Sequence, residues 1–210
     1  MGRITNGGRW VCAGMALAIV CMIPGVAAGE TTEADRKALL DHLQRTRAAF
    51  LASIGGVSEA QWNWKPGADR WSVAEVAEHI TAAEGFLRGV VTDRVMPTPA
   101  SPDLLAKTRG QDEVVLRTIP DRSAKVQAPE PLQPRGAWKD RAAVTAAFEE
   151  ARAETLRLAG DTGQDLRAHA MESPLGALDA YQWLLFVSAH TERHTKQIEE
   201  VRATAGFPAQ

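Results

Sequence analysis

Four long stretches with apolar residues at intervals of three and four constrain this 210-residue chain more than any other feature. The first covers residues 32–54, where Leu39, Leu40, Leu43, Thr46, Phe50 and Ile54 share a face and Gly55-Gly56 ends the pattern. The second opens at Ser72, which makes an S-x-x-E capping box with Glu75. Its stripe is Val73, Val76, Ile80, Ala83, Phe86, Leu87 and Val90, and it ends before Pro97. The third covers 140–158, with Val144, Ala147, Phe148, Ala151, Leu156 and Leu158 inward and Gly160 as its stop. The fourth covers 178–204 and is closed by Gly206 and then Pro208. A long connector, 97–137, separates the second from the third. It holds one short helical pattern at 102–116, followed by Pro120, Pro129, Pro131 and Pro134, which enforce extended or turn geometry. The expected fold is all-α: a four-helix bundle with a long crossover connection between helices 2 and 3. No internal repeat, heptad seam or strand alternation is evident.

The first 28 residues read as a secretory signal peptide rather than as part of the bundle. Arg3 and Arg9 form a basic start, Trp10 to Ile23 an apolar run, and Val26-Ala27-Ala28 a small-residue cleavage site. The run is short and Gly-interrupted for a membrane span, which needs about 20 residues. An uncleaved anchor is the alternative. The expected organisation is therefore residues 1–28 as signal and 29–210 as one helical domain, secreted or periplasmic, with no stable membrane span after cleavage. Both cysteines, Cys12 and Cys21, fall in the signal, so the remainder has no disulfide, thiolate ligand or cysteine nucleophile. Without Arg3 and Arg9 it carries 22 basic against 26 acidic residues, a net of −4. Such a chain is a poor fit to nucleic acid, which calls for a basic face.

Three histidines carry the chemistry. His190 and His194 stand four apart in the fourth helix, which places their Cβ atoms about 5–6 Å apart on one face. His79 lies on the second helix, near its apolar stripe. Three neutral imidazoles with an open position describe a catalytic rather than a structural zinc-type site. With only nitrogen and oxygen donors available, the expected cofactor is a divalent ion: Zn, Ni, Fe or Mn.

The neighbouring residues have plainer readings. His190-Thr191-Glu192-Arg193-His194 is not H-E-x-x-H, because Glu192 is displaced around the helix from the position that reaches a metal-bound water. Glu75 could support the His79 ring, but its capping role is the preferred reading. Gln197, one turn after His194, either lines the pocket or sits on its rim. His42 and His169 are expected outside the site. Trp62, Trp64, Trp71, Trp138 and Trp183 are expected to cap the core with indole N–H groups bonded to carbonyls. Arg70 and Arg193 are candidate anion contacts, with surface ion pairing the preferred role.

Asn63-Trp64-Lys65-Pro66, then Arg70-Trp71-Ser72-Val73-Ala74-Glu75-Val76 with His79, and finally His190-x-x-Arg193-His194-x-x-Gln197-Ile198 together resemble the DinB-like superfamily. These are four-helix bundles related to bacillithiol and mycothiol transferases, and the resemblance runs over about 32–204. It implies one divalent metal held by His79, His190 and His194 with waters completing the shell. In the transferases of the family the metal activates a low-molecular-weight thiol. Those thiols are cytosolic, whereas this chain reads as exported.

Three functions stand open on these residues. One is a metal-dependent transferase of thiol-transfer type, or a hydrolase, acting on a small molecule. Another is a non-catalytic metal-binding or sensing bundle. The last is a bundle with plain core histidines that forms a homodimer through an apolar face.

Overall fold

The computed structural model describes residues 1–2 and 30–209, so the segment read as a signal peptide falls, apart from Met1 and Gly2, outside the described residues. The helices are α1 (Glu33–Ile54), α2 (Glu59–Asn63), α3 (Val73–Val90), α4 (Pro102–Lys107), α5 (Gln111–Thr118), α6 (Arg141–Asp161) and α7 (Ala180–Arg202). A five-residue π-helical turn, Val91–Val95, prolongs α3. Two short antiparallel strands, β1 (Ala170–Ser173) and β2 (Gly176–Asp179), lead into α7.

The helix starts follow from their caps. Thr32, Ser58, Ser72 and Asp179 each form a complete capping box with the residue three along, and Asp140 caps α6. Each cap satisfies backbone N–H groups that the first turn leaves without partners. α1, α3, α6 and α7 make the expected four-helix bundle. In it α1 packs on α6 and α7, and α3 also packs on α6 and α7. Helices α1 and α3, consecutive among the long ones, thus lie diagonally across the bundle. No helix among the described residues is long and apolar enough to cross a membrane.

Several boundaries differ from the sequence reading. Residues 170–179 form a hairpin, so the fourth helix begins at Ala180 and Leu178 belongs to β2. Four-residue strands are too short to show convincing alternation, and Gly176 at φ 99° closes their turn. The stretch 102–116 is two helices, broken at Gly110, whose φ of 77° is left-handed. Gly160 does not stop α6; it lies inside the helix against the Leu40 side chain, and the left-handed residue is Gly163. Phe86, assigned to the inward stripe, is 46% exposed.

The apolar core has two parts. One gathers Leu39, Leu43, Leu87, Leu184 and Leu185; the other gathers Phe50, Ile54, Val76, Ile80, Phe148 and Ile198. Between them in chain position on every long helix lies a polar layer that the hydrophobic pattern did not reveal. Arg152, 0% exposed, meets Glu84, 1% exposed, through Nε–Oε1 at 2.7 Å and Nη2–Oε2 at 2.8 Å. Arg152 also donates to the Leu43 carbonyl (2.6 Å), Thr46 Oγ1 (3.1 Å) and Thr191 Oγ1 (2.8 Å). Thr46 and Ser188 hydroxyls are 3.1 Å apart in the same layer.

Removing one partner of such a pair leaves a bare charge in a dry interior. Arg152→Met should lower unfolding free energy by about 3–5 kcal/mol in urea titrations, and Glu84→Leu combined with Arg152→Met should recover most of that loss.

Candidate metal centre

Two capping boxes set the frame of the site. Ser72 and Glu75 fix where α3 begins, which directs His79 inward at 2% exposure. Asp179 and Gln182 do the same for α7, whose inner face continues through Ser188, Thr191 and Thr195. His190 and His194 flank that face, partly buried, and lean on His79 across the α3–α7 contact. Ring centroids lie 5.0 Å apart for His79–His190, 4.4 Å for His79–His194 and 4.4 Å for His190–His194. One nitrogen from each ring falls within 4.8 Å of the others. The structure therefore brings together the three residues singled out in the sequence.

Hydrogen bonds fix two of the ring tautomers. His79 Nδ1 is 2.7 Å from the Leu132 carbonyl, an atom that only accepts, so Nδ1 carries the proton. His194 Nδ1 is 2.7 Å from Gln197 Oε1, and the same oxygen accepts from Arg122 Nη1 at 3.2 Å. Arginine only donates, which settles which end of the Gln197 amide faces both groups. His194 Nδ1 is then a donor as well. In the neutral rings both Nε2 atoms bear lone pairs, yet they face each other at 3.2 Å.

Two like lone pairs at that distance repel unless a cation lies between them. Two nitrogens bound to one ion at about 2.0–2.1 Å, at octahedral or tetrahedral angles, stand about 2.9–3.4 Å apart. The donor set fits a divalent metal on chemistry and on spacing.

The electrostatics favour neutral rings. Burial, followed by repulsion from His79, pushes His194 down to about 3. Burial and the charges of His194 and His79 push His190 well below the usual imidazole value. Burial lowers His79 too, opposed by the Leu132 hydrogen bond. Neutral imidazole is the form that binds metal.

The surroundings separate the remaining candidates. Glu75 is a capping residue: Oε2 accepts from Ser72 N at 2.8 Å, and Oε1 pairs with Lys65 at 2.9 Å. Glu192 pairs with Lys196 at 2.8 Å. Gln197 orients His194 rather than lining a rim. Arg193 is no anion contact; its guanidinium donates to the carbonyls of Ile119, Asp121 and Ala124 and holds the connector to α7. Arg70 is exposed, and His42 and His169 lie outside the cluster. Among the tryptophans, Trp62 and Trp183 are buried, but the Trp183 indole nitrogen has no hydrogen-bond partner, contrary to expectation. Trp71 packs on His79 with centroids 5.0 Å apart.

Three supporting groups escaped the sequence reading. The Leu132 carbonyl belongs to a Pro-rich connector with no periodicity to place it. Arg122 reaches Gln197 while held two-pronged by Glu200, at 2.7 Å for both contacts. Glu78, beside His79, accepts from the backbone N–H groups of Arg135 (2.7 Å), Gly136 (2.9 Å) and Ala137 (3.1 Å). The one available signal for Glu78 was a carboxylate next to a core-facing histidine.

Residues 42–198 match the family model of the DinB superfamily. The chain is 24% identical over 150 residues to the uncharacterized protein YuaE of Bacillus subtilis (strain 168), a match covering 71% of this chain and 88% of YuaE. Among solved structures it is similar to YfiT from Bacillus subtilis, described as "a probable metal-dependent hydrolase with an unusual four-helix bundle topology". The TM-score is 0.52 at 12% identity, over 84% of this chain and 91% of that one. That likeness concerns the fold.

The lowered imidazole values carry a pH signature. Between the folded values and about 6.5, the unfolded metal-free chain binds more protons than the folded one, so stability rises with pH. The contribution is full above about 6.5 and is lost as pH falls toward the folded values. Burial raises Asp179 to about 6, which gives a slope of opposite sign at acid pH. That slope cancels between wild type and variant. Urea midpoints of metal-free wild type should fall more steeply from pH 7 to pH 5 than those of His79→Gln/His190→Gln/His194→Gln.

Proposed function

Because the chain belongs to the DinB superfamily, we propose that His79, His190 and His194 hold one divalent metal and that the centre hydrolyses a small ester or amide. The observation that carries this reading is the pair of unprotonated Nε2 atoms at 3.2 Å, each aimed by a hydrogen bond at its other ring nitrogen. A bound divalent ion supplies Lewis acidity, which makes water nucleophilic near neutral pH and polarises an acyl carbonyl. Imidazole donors suit Zn, Ni, Fe or Mn.

The protein's own groups define the rest. Leu132 and Gln197 hold the rings and keep their protons on Nδ1. His190 and His194 are only partly buried, which leaves a side of the cluster open to a small molecule. Trp71 screens His79 from solvent on one flank.

Hydrolysis is preferred to thiol transfer on two grounds. Water is the only second reactant it needs. The chain's two cysteines precede the bundle, so a thiol would have to come from outside the protein. We further propose that residues 1–28 direct export, which would remove the protein from cytosolic thiols. The name given to YfiT agrees with hydrolysis.

A second reading, a non-catalytic metal-binding or sensing bundle, is favoured by the carboxylates near the histidines. Glu75, Glu78 and Glu192 are all engaged elsewhere, which leaves none of them free as a general base.

Elemental analysis of the untagged 29–210 chain should find about one metal per molecule, and His190→Ala/His194→Ala should find none. Ester or amide turnover lost on chelation and restored by one ion supports the hydrolase. Stoichiometric metal without turnover across ester, amide and thiol-transfer substrates supports the sensing reading. Absence of metal after reconstitution overturns both.

A further inference from the structure

The segment 119–137 is held to the bundle mainly by polar bonds. Between Pro120 and Leu132 no residue is buried. On α7, Arg193 donates to the carbonyls of Ile119, Asp121 and Ala124, and Glu200 grips Arg122 at 2.7 Å. On α3, Glu78 accepts from the backbone N–H groups of Arg135 (2.7 Å), Gly136 (2.9 Å) and Ala137 (3.1 Å). The histidines themselves supply further holds. His79 Nδ1 donates to the Leu132 carbonyl at 2.7 Å, and His194 Nδ1 shares Gln197 Oε1 with Arg122. A segment with little buried apolar surface and exposed hydrogen bonds opens locally at low free-energy cost.

Each neutral ring has one proton and two uses for it. On Nδ1 the proton fastens the segment. On Nε2 it would bridge the 3.2 Å gap between His79 and His194. With both Nε2 lone pairs given to a cation, Nδ1 is the one nitrogen left to carry the proton, and both fastenings are made. With no cation between them, the facing lone pairs repel. Shifting one ring's proton from Nδ1 to Nε2 relieves this by an Nε2–H···Nε2 bond, with no net proton gained. The cost falls on the segment. If His79 shifts, its Nδ1 lone pair meets the Leu132 carbonyl, acceptor against acceptor. If His194 shifts, Gln197 must turn its NH₂ to the ring, and Arg122 loses an acceptor.

We propose that residues 119–137 form a metal-responsive strap, closed on α3 and α7 when the three imidazoles hold an ion and loosened when they do not. Glu78 and Arg122 are its positioning residues, acting on His79 and His194 through Leu132 and Gln197. The strap rests on the metal-centre reading above and names the regulation of that centre. Linkage makes the effect reciprocal: the factor by which metal favours the closed strap is the factor by which closure strengthens metal binding.

The test uses the full chain with and without zinc, its loading checked by elemental analysis. Hydrogen–deuterium exchange at Arg135, Gly136 and Ala137 should slow about tenfold on loading, while peptides from α6 change little. Glu78→Gln, which offers those N–H groups one acceptor oxygen in place of two, should weaken zinc about tenfold in competition with a chromophoric chelator. Arg122→Met, at the other end and outside the core, should weaken it about fivefold, and serves alone if circular dichroism shows Glu78→Gln unfolded. Glu130→Gln, which breaks an exposed pair with Arg135 and touches neither histidine, should leave zinc affinity unchanged. Zinc bound at about one per chain with exchange in 132–137 unaltered, or slowed no more than in α6, overturns the strap and leaves the metal centre standing. Zinc affinity indifferent to the Glu78 and Arg122 substitutions does the same. Failure to bind zinc or any other divalent ion overturns the metal reading and the strap together.

Discussion

The bundle depends on one fully buried ion pair. Arg152 spends all five of its N–H donors, two on the Glu84 carboxylate and the others on the Leu43 carbonyl, Thr46 and Thr191. The acceptors come from α1, α3 and α7, and the guanidinium from α6. A buried pair of this kind adds little net stability over an apolar core, since desolvation offsets its attraction. Its contribution here is geometric. Leucines tolerate sliding and rotation, whereas five directed bonds do not. The layer fixes the rotation of each long helix about its own axis.

That rotational setting reaches the histidines directly. Thr191, which accepts from Arg152, is the residue after His190, and Glu84 is five residues beyond His79 on the same helix. A few degrees of twist in α3 or α7 would separate the imidazoles by more than a ligand shell tolerates. The polar layer and the histidine cluster are thus consecutive parts of one apparatus, the first buried completely and the second left partly open.

The sequence showed the bundle well because its evidence is local. Capping boxes and three–four spacing are read within a few residues, and Ser72, Asp140, the face of α1 and, Phe86 apart, the face of α3 were all legible. The histidine triad was legible because two members share a helix turn and the third lies near a stripe. The Glu84–Arg152 pair was not, although Arg152 falls on the line Val144, Phe148, Thr155, Ala159 and Glu84 beside Ala83. A charge on an apolar stripe reads as a boundary residue until its partner, sixty-eight positions away, is known to face it. The Leu132 carbonyl was beyond reach for another reason: any residue type can offer a carbonyl, so no side-chain pattern announces it.

The connector's grip on α3 has an evolutionary consequence. Glu78 holds three backbone N–H groups and His79 a backbone carbonyl, so the clasp reads main chain and is blind to the side chains of residues 132 and 135–137. Of these, the exposed Arg135 and Ala137 side chains can drift while the ring stays aimed, as hypervariable loops drift on an immunoglobulin scaffold, whereas Leu132 is buried and Gly136 sits at φ 74°. Descendants of one ancestral bundle could exchange what they recognise by altering this stretch alone, with the imidazoles inherited unchanged.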